Sequence, residues 1–145
     1  MSLPTRLQEI VADFQLSEGQ EKLDLLLEYA EKFQPVPDRF KTEHSQVDPV
    51  PECMTPVSIY TEHQDDRVKF YFDIPPEAPT VRGYAAILTE GLDDATAEEI
   101  LAIPGDFYLQ TGLQQVLSFL RINGMAAILA HIKQIAVKIM ASSEP

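Results

Sequence analysis

The sequence predicts a single α+β domain, in which helices from both ends of the chain pack with a small antiparallel sheet from its middle. Near both termini, apolar residues recur three and four positions apart, which is the spacing of one helix face. Between these regions apolar and polar residues alternate, as in half-buried strands. The 145 residues, 45% of them hydrophobic and 23% charged, suffice for one ordinary core. We therefore expect one domain over residues 1–145.

Two helices are expected in the first third of the chain. The first, of about three turns, is indicated by apolar residues at helical spacing, which are Leu7, Ile10, Val11 and Phe14. The second is indicated over Glu18 to Phe33, with Ser17 and Gln20 in the form of a capping box. Its inward stripe is predicted to comprise Leu23, Leu26, Leu27 and Ala30.

The middle of the chain predicts a β-hairpin. Apolar and polar residues alternate over 57–61 and again over 68–74, and the polar residues at 64–66 are typical of a turn. The segment 34–51 carries four prolines, which favours an ordered, non-helical connection with a short strand near Ser45–Val47. The expected sheet is antiparallel and has two or three strands.

Further helical segments are expected after the hairpin. Thr80 is predicted to cap a helix that ends at Gly91, and Thr96 with Glu99 has the form of a second capping box. Short helical turns are expected after the break at Pro104-Gly105.

The last helix is predicted from about Ile122 to Met140. Its expected inward face comprises Met125, Ile128, Leu129, Ile132, Ile135 and Ile139. No stretch approaches the roughly 20 apolar residues that a membrane span requires, and the N-terminus lacks the continuous apolar segment of a signal peptide. We therefore expect no membrane association and a cytoplasmic location.

The charge balance narrows the classes of partner. The chain has 11 basic and 23 acidic residues, a formal net charge of -12, and no run of Lys and Arg. Such a protein repels phosphate backbones and anionic lipids. We expect no nucleic-acid partner, and instead a protein with a positively charged docking face.

Cys53 is the single cysteine, so neither an internal disulfide nor a metal site of several thiolates is expected. Pro51 and Pro56 flank it and predict a stiffened loop that presents the side chain. A lone cysteine is more often a small buried hydrophobe, and that interpretation stays open. A reactive thiolate needs help, because the ordinary thiol pKa lies near 8.5 and Glu52 would raise it by repulsion. Arg121 is the candidate for the opposing cation.

Other chemistry-bearing residues give no site. His44, His63 and His131 lack the spacing of metal ligands, and the paired aspartates at 65–66 and 93–94 fall in turns. The sequence has no Gly-rich phosphate loop, Ser-centred elbow or nucleotide fingerprint. We expect neither a metal nor a bound cofactor.

Three segments in order carry a resemblance to a known family. They are the proline-flanked segment Val50–Pro56 with the following strand Val57–Tyr60, the helix opening Val81–Leu88, and the C-terminal stretch from Gly112-Leu113-Gln114-Gln115 to Arg121-Ile122-Asn123-Gly124-Met125. In these segments the sequence resembles the SufE family, sulfur-acceptor proteins that partner cysteine desulfurases in building iron-sulfur clusters. It departs from the family pattern at Glu52, Thr55 and Val116, where many members have Gly, Ser and His.

The resemblance implies a role for Cys53 and a set of partners. Cys53 would take a sulfur atom from the desulfurase, a pyridoxal-phosphate enzyme, hold it as a persulfide and deliver it to a cluster scaffold. A two-layer fold like that of iron-sulfur scaffold proteins is also implied. Arg121 and Arg82 would shape the persulfide pocket or docking surface, although a structural contact explains Arg82 equally well. Because persulfides are labile, we also expect Met54 to line an apolar hollow around Cys53.

Two alternatives remain beside this interpretation. One is an interaction module of the same fold in which Cys53 is structural. The other is a thiol peroxidase or redox sensor, which normally requires a resolving cysteine that this sequence lacks.

Overall fold

The computed structural model describes residues 3–40, 47–51 and 55–142. Within these ranges the chain forms six α-helices and one four-stranded sheet. The helices are α1 (Thr5–Leu16), α2 (Gln20–Glu31), α3 (Pro79–Gly91), α4 (Ala97–Leu101), α5 (Tyr108–Thr111) and α6 (Phe119–Ser142). The strands are β1 (Val47–Pro49), β2 (Ser58–Gln64), β3 (Arg67–Asp73) and β4 (Ala95–Thr96). Short 3-10 turns lie at Asp38–Phe40 and Leu113–Gln115.

The sheet is antiparallel with strand order β1-β2-β3-β4. The predicted hairpin is confirmed: β2 and β3 pair from Ser58↔Asp73 to Gln64↔Arg67, and Asp65 takes a φ of 57° in the turn between them. The two outer strands are short. Sequence periodicity did not predict β4, the fourth strand of the sheet, because two residues are too few to show alternation.

The core lies between the inner face of the sheet and the helices. Alternate residues of the hairpin are buried there, including Ile59, Phe70 and Phe72. Helix α3 contacts β3 and also packs against α1, α2 and α6. The short helix α4, which is capped at its start, packs on α6. This two-layer α+β arrangement is the predicted fold class.

The predicted capping box at the start of α2 is wrong. The residue before the helix is Gly19, with a φ of 52°, a conformation that glycine adopts without strain. The side chain of Glu21, not Gln20, reaches back and accepts the backbone N–H of Glu18 at 2.9 Å. Ser17 instead donates its hydroxyl to a carbonyl of α1. On α2 the buried residues are Lys22, Leu26 and Tyr29, whereas Leu23, Leu27 and Ala30 are half-buried.

The other two predicted caps have opposite outcomes. Thr80 does not cap α3, because Ala78 is the N-cap and Pro79 opens the helix with its fixed φ. The box of Thr96 and Glu99 is confirmed, with both reciprocal hydrogen bonds at 2.9 and 3.1 Å. At the start of α3, the fixed φ of Pro79 therefore takes the place of a side-chain cap.

Helix α6 starts at Phe119, earlier than predicted, and its expected inward face is buried. The expectation that no stretch is apolar enough to span a membrane is wrong. By length and composition alone, the helical segment Phe119–Ala141 is long and apolar enough to do so. The packing of its buried stripe against α3 and α4 is that of a core helix.

Candidate functional site

The anchors of the loop that carries the single cysteine are well defined. Cys53 itself, with Met54 and Glu52, lies outside the described residues. The backbone N–H of Val50 donates to the carbonyl of Val57 at 2.9 Å, and both valines are buried. This bond extends the β1–β2 pairing by one step, so the connection between these strands starts and ends in the core.

Arg121 lies in the first turn of α6. Its backbone N–H donates to the Ser118 hydroxyl at 3.3 Å, so Ser118 acts as the N-cap. The side chain is exposed and has no hydrogen bond or ion pair with any described residue. A cation at a helix N-terminus opposes the helix dipole, which disfavours this placement for stability. The position therefore leaves the guanidinium free to contact a ligand or partner.

Two large apolar side chains accompany Arg121 on the same turn. Phe119 is 76% exposed and Leu120 is 58% exposed. We call Phe119, Leu120 and Arg121 the α6 entry surface. Sequence analysis missed its two apolar members, because it placed the start of the helix at Ile122; the signal that could have found them is Ser118, a favoured N-cap residue.

Arg82 has a different environment. Its Nε and Nη2 both donate to the carbonyl of Ile74, at 2.9 and 2.7 Å, and its guanidinium lies 4.5 Å from the ring centre of Phe33. These contacts join the first turn of α3 to the chain just after β3. They supply the structural role considered for this residue, and its part in docking stays a prediction. The structure gives Arg82 and Arg121 no shared partner among the described side chains.

Two open cavities, each of about 390 Å³, lie elsewhere on the molecule. One is lined by charged residues of the β2–β3 turn and by Asp93 and Asp94. The other lies beside β3, between α3 and the segment after α2. Neither of the two is lined by Arg82 or Arg121. Within the described ranges, no group of three or more His, Cys, Asp or Glu side chains is arranged to hold a metal ion.

Comparison with known proteins first identifies the class of the fold. The solution structure of a hypothetical protein from Thermus thermophilus superposes with a TM-score of 0.83 at 31% sequence identity, over 97% of this chain and 99% of that one. An uncharacterized SufE-like protein of Mycobacterium tuberculosis is 46% identical over 134 residues, 92% of each chain. The cysteine desulfuration protein SufE of Plasmodium falciparum is 30% identical over 112 residues, 75% of this chain and 44% of that protein. The chain is therefore similar to SufE-like α+β proteins.

The family model for SufE, described as an Fe-S metabolism associated domain, matches residues 8–136. The chain belongs to the SufE family. This membership implies a sulfur-acceptor role in iron-sulfur metabolism.

Proposed function

We propose that the protein accepts a sulfur atom on Cys53 from a cysteine desulfurase, stimulates that enzyme, and passes the sulfur to an iron-sulfur cluster scaffold in the cytoplasm. One observation carries the proposal. The only thiol in the sequence falls in a connection anchored at Val50 and Val57, inside the region that the SufE model matches. The name of the Plasmodium falciparum relative supports the choice of a desulfurase as partner.

The chemical step is a transfer of sulfane sulfur between two cysteines. The Cys53 thiolate attacks the outer sulfur of the desulfurase persulfide, and a new S–S bond forms on Cys53. The S–S bond to the desulfurase cysteine breaks, and that cysteine leaves as a thiolate with the bonding electron pair. The exchange needs no external oxidant or reductant.

Two features of this chain bear on the reactivity of Cys53. The neighbouring carboxylate of Glu52 disfavours the thiolate, so a cation must compensate when the partners meet. Arg121 is the proposed cation, since its guanidinium has no partner among the described residues. Phe119 and Leu120 would bury apolar area against the desulfurase beside it, as aromatic and arginine side chains do in many interfaces.

Intact-mass spectrometry tests the proposal directly. The full-length protein is incubated with a cysteine desulfurase and free cysteine, beside the Cys53→Ser variant. We expect the wild-type protein to gain one sulfur atom, which reductant removes, and the variant to gain none. If the wild type gains no sulfur and the variant stimulates the desulfurase as well as the wild type does, the protein is an interaction module in which Cys53 has no chemical role.

A further inference from the structure

Helix α6 buries one face and leaves the opposite face uncovered. The buried stripe runs from Ile122 to Ile139. At about 100° per residue, the side chains opposite that stripe form one row. We call this row the α6 outer face, and it consists of Phe119, Asn123, Ala126, Ala130, Gln134 and Val137. Ala126 is half-buried and the other five are exposed, Val137 to 53%, so an uncharged and partly apolar face meets solvent.

The α6 outer face also lies on the part of the sequence that has no acidic residue. None of the 23 acidic residues falls between residues 107 and 143, although the net charge of the chain is -12. Helices α1 and α2, in contrast, expose several carboxylates. Two copies that meet through α1 or α2 bring like charges together, which opposes association. Two copies that meet through α6 place no carboxylate of either helix in the contact.

The order of side chains along the α6 outer face is self-complementary. Phe119 and Val137 are about five helical turns apart and lie at the same angle around the axis. Consider two α6 helices that are antiparallel and related by a two-fold axis at the level of Ile128. Phe119 of each copy then meets Val137 of the other, and Ala126 meets Ala130. The alanines at the centre allow the two helix axes to approach closely.

The polar residues of α6 fit the same pairing. Asn123 of one copy falls beside Gln134 of the other, so their side-chain amides can hydrogen-bond across the contact. Lys133 and Lys138 lie at the two margins of the face. Along the antiparallel pair, the two copies of each lysine are about 15 Å and about 30 Å apart, which exceeds the Debye length at physiological salt. The pairing therefore brings neither lysine close to its counterpart.

We propose that the α6 outer face binds a second copy of this chain, in an antiparallel, two-fold symmetric contact between the two α6 helices. Three pairs of residues with the same centre carry the choice of a second copy, because another partner would have no reason to match this order. The contact involves one helix from each copy and is small, so the dimer is weak and reversible. It does not depend on Cys53.

A lipid surface fits the α6 outer face less well. The buried stripe holds α6 in the core, so only the outer face could meet a bilayer. Asn123 and Gln134 interrupt the apolar residues of that face, and each loses its hydrogen bonds to water in hydrocarbon. The net charge of -12 also repels anionic headgroups. A second copy satisfies both amides and brings no anionic surface.

Sedimentation of the full-length protein tests the dimer without any partner protein. Reductant is present throughout, so that two Cys53 thiols cannot form a disulfide. We expect a monomer–dimer equilibrium with a dissociation constant of about 0.1–1 mM in roughly 500 mM salt. In roughly 50 mM salt the dimer should be at least about threefold weaker, because repulsion between two chains of net charge -12 is screened less. At the low micromolar concentrations that suit desulfurase binding the protein is then monomeric, so the two associations are measured separately.

Matched charge variants localise the contact. Ala130→Glu is expected to weaken the dimer at least about tenfold, whereas Ala12→Glu, on the exposed face of α1, adds the same charge and should change it less than about twofold. A mixture of the Ala130→Glu and Ala126→Lys proteins should dimerise more strongly than either protein alone, because the new carboxylate of one lies opposite the new ammonium of the other. A mixture of Ala126→Lys with Ala12→Glu should show no such gain. Amide NMR spectra check that each variant keeps the fold.

Four results would overturn the proposal. They are a monomer mass at every concentration up to about 1 mM in high salt, equal dimerisation of Ala130→Glu and the wild type, no gain in the first mixture, and an equal gain in both mixtures. A monomer that floats with phosphatidylcholine vesicles, and no longer does so as Ala130→Glu, would assign the α6 outer face to a lipid surface instead.

Discussion

Gly112 illustrates how one residue is constrained by a side chain distant in sequence. Its φ is 76°, a conformation that residues with a Cβ rarely adopt. A Cβ at this position would also lie 2.8 Å from Cε of Lys22. The buried Lys22 ammonium donates to the carbonyl of Phe14 at 2.5 Å, so it is held close to the glycine. The glycine thus provides both the turn before the Leu113–Gln115 3-10 segment and the space for the lysine.

Replacing this glycine tests both constraints. Gly112→Ala is expected to lower the free energy of unfolding by about 1–3 kcal/mol, through backbone strain and displacement of Lys22. Urea denaturation measures the change. Gly105→Ala is the matched control, because a Cβ at Gly105 would meet no atom within 4 Å. Equal effects of the two substitutions would contradict this account.

Tyr84 makes the stability of the folded protein depend on pH in the alkaline range. Its hydroxyl is buried without a hydrogen-bond partner, and burial raises the pKa of Tyr84 far above its ordinary value of 10.0. Well below pH 10 the phenol of Tyr84 is protonated in both the folded and the unfolded chain. Its ionisation therefore takes nothing from the stability of the folded state there. At higher pH the unfolded chain releases the proton while the folded chain retains it, so stability falls as pH rises.

The Tyr84→Phe variant removes this dependence. Since the unpaired hydroxyl costs free energy in the core, we expect the variant to be as stable as the wild type or more stable at pH 7. Between pH 10 and pH 11 it should lose about 1 kcal/mol less than the wild type does. Urea denaturation at both ends of this range measures the difference.

At the scale of elements, two glycines on α3 allow close helix packing in different ways. A Cβ at Gly83 would lie 2.4 Å from the backbone carbonyl oxygen of Leu26 on α2. A Cβ at Gly91 would lie 2.7 Å from Cδ1 of Leu7 on α1, which is the end of a flexible side chain. The Cβ and Cα of Leu7 would lie at 3.2 and 3.3 Å, so the backbones at Gly91 need to separate by only a few tenths of an ångström, far less than at Gly83.

The two alanine substitutions should therefore differ in cost. Gly83→Ala is expected to destabilise the protein by about 2 kcal/mol or more, because α2 must shift away from α3. Gly91→Ala should cost clearly less, since Leu7 can change rotamer and alanine favours the helix. Thermal unfolding of both variants gives the comparison, and an equal or reversed order would show that the α2–α3 contact is not the constraint.

The elements also show which parts of the fold local sequence can predict. The β2–β3 alternation and the Thr96–Glu99 cap were predicted correctly, because their patterns lie within a few residues. The start of α2 was not, because Gly19 rather than Ser17 sets the turn before it. Arg82 was recognised as a candidate, yet its bond to the Ile74 carbonyl depends on how α3 meets the end of β3. Contacts between elements of this kind have no local signal in the sequence.

At the scale of the whole molecule, the candidate site was predicted only in part. The sequence singles out Cys53 and Arg121, and their shared role stays a prediction, because Cys53 lies outside the described residues. The exposed Phe119 and Leu120 depend on the exact start of α6, which periodicity determines poorly. Strand β4 pairs with β3 over two residues only, and a strand that short has no sequence signature.

The net charge of -12 predicts how salt affects association with the desulfurase. If the docking face of the partner is basic, attraction between the two proteins is screened as ionic strength rises, and affinity falls. We expect the dissociation constant to rise at least about tenfold between roughly 50 mM and 500 mM salt, measured by calorimetry or fluorescence. An affinity that is constant or increases with salt would contradict a charge-steered complex.

The apolar part of the same surface should respond differently to salt. Phe119→Ser removes apolar contact, which salt does not screen, so it should weaken binding by a similar factor at every ionic strength. Leu16→Ser removes an even more exposed leucine, 83% exposed, at the end of α1 and should leave binding unchanged. If both variants weaken binding equally, general surface apolarity rather than the α6 entry surface governs the association. A salt-independent loss in Phe119→Ser alone would instead place the desulfurase on the turn that carries Arg121.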